Sequence, residues 1–243
     1  MKVLKFILLI SIFTACTNDS IVVDDILLSN YILNRTIEKG AVIACAGSNE
    51  DASKVLVFEY PANGAINTKL YETETINVDE SDFTNYTKVR VEGKPFFNGY
   101  LQQFDLDLSI EKWIIVTHEL DGEIKISNPI RTKQLSKASN WTDEVDIDQD
   151  VSTMPKFNWE KDQFGDNAIY FQIVSDEQNN LLSGTYTLES TFQYYNTSNV
   201  VLNITTETPP TLLIGAPYNF TLMDVSEDNW VNLFILNKSF IAE

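Results

Sequence analysis

An all-β fold is predicted by three features of this 243-residue sequence. Short runs rich in β-branched and aromatic residues recur from about residue 40 to the end, turn residues separate them, and no block of helical periodicity intervenes. Such a pattern belongs to β-sandwiches and barrels. Hydrophobic residues make up 44% of the chain and aromatics 12%, enough for a packed core rather than a disordered tail. Nine glycines are few for a repeat architecture that turns on Gly.

Taken in order, residues 20–38 read either as a short helix or as an irregular lead-in. Residues 41–46 form a short apolar run, a buried strand that contains Cys45. Residues 54–60 are β-branched and aromatic, stop at Pro61 and precede the turn Asn63-Gly64. Residues 87–92 and 104–108 alternate with period two, which marks half-buried strands. Residues 112–117 and 123–127 flank Asp121-Gly122 and make the clearest hairpin in the chain. Residues 131–150 are polar and charged, a natural domain boundary. Strand patterns resume at 155–159, 168–174, 181–188 (with a bend at Ser183-Gly184), 200–204, 218–223 and 230–235, the last two flanking a turn at 226–229.

The first sixteen residues have the three-part layout of a secretory leader: Lys2 and Lys5, an apolar run from Phe6 to Phe13, then Thr14-Ala15-Cys16. The apolar run falls far short of the ~18–20 residues a membrane-spanning helix needs. Its end resembles the lipobox of bacterial lipoproteins, with Phe13 in place of the usual Leu. The resemblance implies cleavage before Cys16, acylation of its thiol (a diacylglycerol with palmitate-type chains), and attachment to a membrane through that lipid. Thr17 to Ser20 is a polar tether. Thr17 stands where an inner-membrane retention signal would carry Asp, which favours the outer membrane, with the periplasmic leaflet and the outward-facing one at the cell surface both open.

Loss of the leader leaves 15 basic against 35 acidic residues, a net charge of about −20. A field of that sign repels phosphate backbones and argues against nucleic-acid binding. With Cys16 taken by lipid, Cys45 has no partner for an intrachain disulfide and reads as a packing residue.

Residues 155–174 carry a proline-led strand that reaches Trp159, then a strand centred on Tyr170. A later strand carries Tyr218. Together they resemble the fibronectin type III pattern. The first half is similar in outline, with Trp113 leading into a strand and Asn128-Pro129-Ile130 closing it, although Cys45 stands where Trp is more usual. The resemblance implies two tandem immunoglobulin/fibronectin type III-like β-sandwiches after a cleaved lipoprotein signal peptide. The chain divides into leader 1–15, tether and lead-in 16–38, sandwich 39–135, acidic linker or first strand 136–150, and sandwich 151–243. A single larger β-domain is the alternative.

Sequence chemistry is sparse. The one histidine, His118, excludes most catalytic triads and His-rich metal sites, and reads as a surface residue near a hairpin. Trp113 and Trp159 read as core. Trp141 in the polar stretch, Trp230 after an acidic turn, and the pair Tyr194-Tyr195 are candidate ligand-stacking residues, competing with plain exposure. Asp146, Asp148 and Asp150 recur every second residue and are candidate calcium ligands. The same alternation, with Val145, Ile147 and Val151 opposite, also reads as a half-buried strand. No cofactor and no enzymatic activity are expected. The resemblance implies a lipid-anchored, envelope-displayed binding or scaffolding lipoprotein with a protein or glycan ligand. The alternative is a carbohydrate-capture accessory of an outer-membrane glycan uptake system.

Overall fold

The computed structural model describes residues 24–205 and 207–243, so the leader, Cys16 and the tether lie outside the described residues. Strands dominate, and the lead-in contributes one four-residue helix, α1 (Leu28–Tyr31). The first half carries β1 (Ile37–Ser48), β2 (Val55–Tyr60), β3 (Ile66–Glu72), β4 (Thr87–Val89) and β5 (Lys94–Phe96). It continues with β6 (Leu101–Leu106), β7 (Trp113–Leu120), β8 (Glu123–Ser127) and β9 (Ile130–Arg131). Two layers share β1: β4-β3-β7-β8-β1 on one side and β1-β2-β6-β5 on the other.

β1 belongs to both layers because it bends. Its first part runs parallel to β8, with Ile37 opposite Ile124, and its second part runs antiparallel to β2, with Cys45 opposite Phe58. The register shift between them contains Gly40, whose φ of +75° is a conformation that side chains with a Cβ rarely adopt. The expected hairpin is present as β7 and β8, and both turn residues, Asp121 and Gly122, have positive φ.

The second half carries β10 (Asn140–Thr142), β11 (Asp146–Asp148), β12 (Lys156–Asn158), β13 (Asn167–Asp176) and β14 (Leu181–Thr187). β15 (Thr191–Gln193), β16 (Val200–Asn203), β17 (Pro217–Ser226) and β18 (Val231–Ile241) complete it. A three-stranded sheet, β11-β12-β15, faces a six-stranded one, β10-β18-β17-β13-β14-β16. Between them lies a core that includes Phe157, Tyr170, Phe192, Tyr218, Phe220 and Leu222. The polar stretch 131–150 is not featureless, since β10 and β11 both lie in it. The bend expected at Ser183-Gly184 is absent, because β14 runs straight through it. Gly184 is there for space: a Cβ would come within 2.7 Å of Ile204 Cγ1.

The two halves are packed face to face. Along β2, Val55 and Val57 point into the first half's own core, while Leu56 and Phe58 point the other way. Along β17, Tyr218, Phe220 and Leu222 serve the second core, while Met223 and Val225 join Leu56 and Phe58. Period-two alternation thus sends one face of each central sheet inward and the other into a shared apolar layer. Gly47 admits the closest approach, since a Cβ there would fall 2.5 Å from a ring carbon of Phe234.

Polar contacts stitch the same seam. Ser48 and Ser139 exchange backbone-to-hydroxyl hydrogen bonds of 2.9 and 2.8 Å, and the Ser139 hydroxyl donates to Val231 O at 2.6 Å. Ala46 forms a parallel bridge with Trp230 and donates to Asn229 O at 3.0 Å. Trp230 itself lies within the first half's core, beside Val42, Leu70 and Ile114.

The lead-in is clamped to the outer face of β7. Leu28 and Tyr31 pack with Tyr71, Ile115 and Ile124, covering the side of the sheet that faces away from the first core. Glu119 accepts hydrogen bonds from Tyr31 Oη at 2.6 Å and from Arg35 Nη1 and Nη2 at 3.2 and 2.7 Å. The Arg35 guanidinium above all, then the Tyr31 hydroxyl, holds the Glu119 carboxyl down at about 2 against an ordinary 4.5. A carboxyl whose folded-state pKa is depressed contributes stability above its unfolded pKa and loses it as pH falls through the folded one. With allowance for its partial exposure, the clamp is worth about 2 kcal/mol at neutral pH. In urea unfolding, the difference between the natural protein and Glu119→Gln should be full above pH 4.5 and vanish near pH 2. A difference that does not change with pH would contradict this origin.

Candidate functional site

The aromatic residues singled out as ligand platforms are mostly structural. Trp230 is 0% exposed, and its Nε1 donates to Lys137 O at 2.9 Å. Tyr194 is also 0% exposed, with its hydroxyl on Pro210 O at 2.7 Å. Neither is a surface platform, because each ring fills a core and each polar tip is satisfied inside it. Trp141 is half-buried, stacked on Phe234 at 4.6 Å between centroids, and donates to Ser48 O at 2.9 Å. Of the four, Tyr195 alone is well exposed, at 44%, on a turn after β15 where its φ is +71°. The four do not share a face. Trp159, read as core, is half-buried at the margin of the second core, where it meets Tyr170 edge-on at 5.2 Å.

The three aspartates are not gathered around a point. Asp146 and Asp148 lie on β11 opposite Asn158 and Lys156, with Ile147 turned toward the second core. Asp150 lies beyond the strand, and its backbone N–H donates to Asp148 Oδ1 at 2.9 Å. Among the described residues no group of three or more His, Cys, Asp or Glu side chains is placed to hold a metal ion. A neighbouring recess is lined by Glu144, Asp146, Glu160 and Asp224 together with Trp159. Asp224 is buried there and desolvation raises its pKa, although Asn167 Nδ2 donates to it at 2.8 Å.

His118 is not on the surface. It is 1% exposed, and its Nδ1 lies 2.7 Å from Oε1 of Glu59, which is 0% exposed. Two facing strands create the pair: β7 turns Ile114 and Val116 into the first core, and His118 follows in phase. Likewise β2 turns in Val55, Val57 and then Glu59. His118 Nε2 and Glu59 Oε2 have no hydrogen-bond partner among the described residues. A sequence signal for the pair existed, since Glu59 is the one charged residue in the apolar run of β2 and His118 continues the inward phase of β7. The pair is enclosed, which makes it an element of the core's internal polarity rather than a solvent-facing acid–base couple.

A recess with a mainly apolar lining sits where β1 changes layers, between the halves. This cavity of about 230 Å³ takes Gly40, Cys45, Phe58 and Tyr60 from the first half and Phe171, Tyr186, Met223 and Val225 from the second. Phe171 and Tyr186 stack at 4.4 Å and form one rigid wall. Cys45 is a free thiol, and burial pushes its pKa up to about 12, so at neutral pH it is an inert, weakly polar lining atom. Leu202, exposed on the edge strand β16, lines the mouth. Sequence reading missed this feature because its walls come from stretches more than a hundred residues apart.

Compared with known proteins, the chain matches no family model and no curated protein. No helix among the described residues is long and apolar enough to cross a membrane.

Proposed function

We propose that this chain is a lipid-anchored, non-catalytic binding or scaffolding protein of the bacterial cell envelope, displayed through Cys16 at the outer membrane. The observation that carries the reading is the leader: Lys2 and Lys5, a short apolar run and Thr14-Ala15-Cys16, followed by a polar tether. Two or three acyl chains hold such a protein firmly, since each buried methylene contributes about 0.8 kcal/mol.

The displayed body is read as two immunoglobulin/fibronectin type III-like units. In the first half β1-β2-β6-β5 opposes β3-β7-β8, an order that parallels the A-B-E-D and C-F-G sheets of immunoglobulin domains. In the second, β11-β12-β15 opposes β13-β17-β18 in the corresponding order. Tyr218, near the start of β17, accepts a hydrogen bond from Leu213 N at 2.9 Å, the geometry of a tyrosine corner. Folds of this kind bind through loops and sheet edges, so a partner is expected on those surfaces and not in a reacting centre.

Feeding the producing cells an alkyne-tagged fatty acid tests the anchor. The natural protein should take up the tag and sediment with membranes, and Cys16→Ser should lose the tag. Equal tagging of both, or tagging of neither, would sink the proposal.

A further inference from the structure

We infer that the cavity between the two halves is a binding site for a small apolar molecule the size of one or two fused aromatic rings. At about 230 Å³ it exceeds an engineered cavity of ~150 Å³ that takes up benzene, and falls below the ~300–1,000 Å³ of pockets for drug-sized ligands. A peptide segment does not fit.

The lining selects the class. Phe58, Phe171 and Tyr186 present rings, and Cys45 and Met223 add two polarizable sulfurs, which make favourable contacts with an aromatic guest. Protein interiors are packed to crystal density, and an aromatic guest in an apolar recess of this size gains dispersion contacts along its walls. Exposed lining residues, Leu202 on the outermost strand and Gly40 and Asn128 by the bend of β1, bring the recess to the surface. Because the walls come from both halves, the guest touches both at once and stiffens the joint between them.

Indole is the probe, applied to the full chain carrying Cys16→Ser, in which Cys45 is the remaining cysteine. Saturating indole should raise the thermal midpoint and slow alkylation of Cys45 by iodoacetamide by about tenfold, the alkylation being followed at about pH 10, where a fraction of the thiol is ionised. Ile169→Trp, which replaces a half-buried lining residue with a larger one, should abolish both effects. Should that variant not fold, Leu202→Trp closes the mouth from an exposed position. The inference is overturned if indole leaves both readouts unchanged in the natural cavity. Equal protection in a folded, filled variant overturns it too. Fatty-acid tagging at Cys16 is indifferent to all of these outcomes, so the cavity and the anchor stand or fall separately.

Discussion

Replacing Trp230 with alanine is expected to destabilise the whole protein by about 3–5 kcal/mol, the range for truncating a large aromatic in a core. The unusual part is where the loss falls. Trp230 lies at the turn before β18, in the second half of the chain, yet its ring is packed against Val42, Val55, Leu70 and Ile114 of the first. Truncation therefore opens a cavity in the first core, strands Lys137 O without its 2.9 Å donor, and loosens the bridge to Ala46. Trp230→Phe keeps most of the packing and loses the indole hydrogen bond, so its effect should be about 1–2 kcal/mol more than a simple area loss. Urea unfolding followed by far-UV circular dichroism measures both. A shift below about 1 kcal/mol for alanine would mean that the seam carries little of the stability.

The buried pair of Glu59 and His118 gives the second large effect. Each side chain offers the other its one protein hydrogen bond in a setting where neither meets water. His118→Ala should destabilise by about 3–5 kcal/mol, because it leaves a buried carboxyl group without a partner. Glu59→Leu/His118→Leu should be less harmful than either single truncation, since apolar groups of similar volume leave nothing unsatisfied. The double-mutant cycle, again by urea unfolding, reads the coupling directly. Additive single effects would show that the two residues act independently despite the 2.7 Å contact.

Much of the fold was legible because strand periodicity is a local property. The β7–β8 hairpin announced itself through Asp121-Gly122, and the strands around Phe58, Tyr170 and Phe220 through β-branched and aromatic runs. One further signal lay in plain view. Val55 to Phe58 is a continuous apolar run, and Tyr170 to Val174 is apolar on both phases but for Gln172, which is how strands read when both faces are covered. That pattern pointed to sheets stacked on sheets, and hence to halves packed together.

The site was less legible, for a physical reason. Whether an aromatic side chain is a platform or a core residue depends on what lies opposite it, and the opposing groups sit in β1, β2, β3 and β7 for Trp230, and in β18 and the end of β1 for Trp141. Nothing in the neighbouring residues of Trp230, which are acidic and polar, reports that. His118 was misplaced similarly: its flanking Glu119 is half-exposed in the clamp with Arg35, whereas the next residue back along the inward phase is Val116. The junction cavity needs both halves before it exists at all.

The central structural claim is that the halves form one cooperative body rather than two beads on a string. Differential scanning calorimetry of the mature protein tests it most directly. One transition is expected, with a van't Hoff enthalpy equal to the calorimetric one. Two resolved transitions, or a calorimetric enthalpy near twice the van't Hoff value, would contradict it.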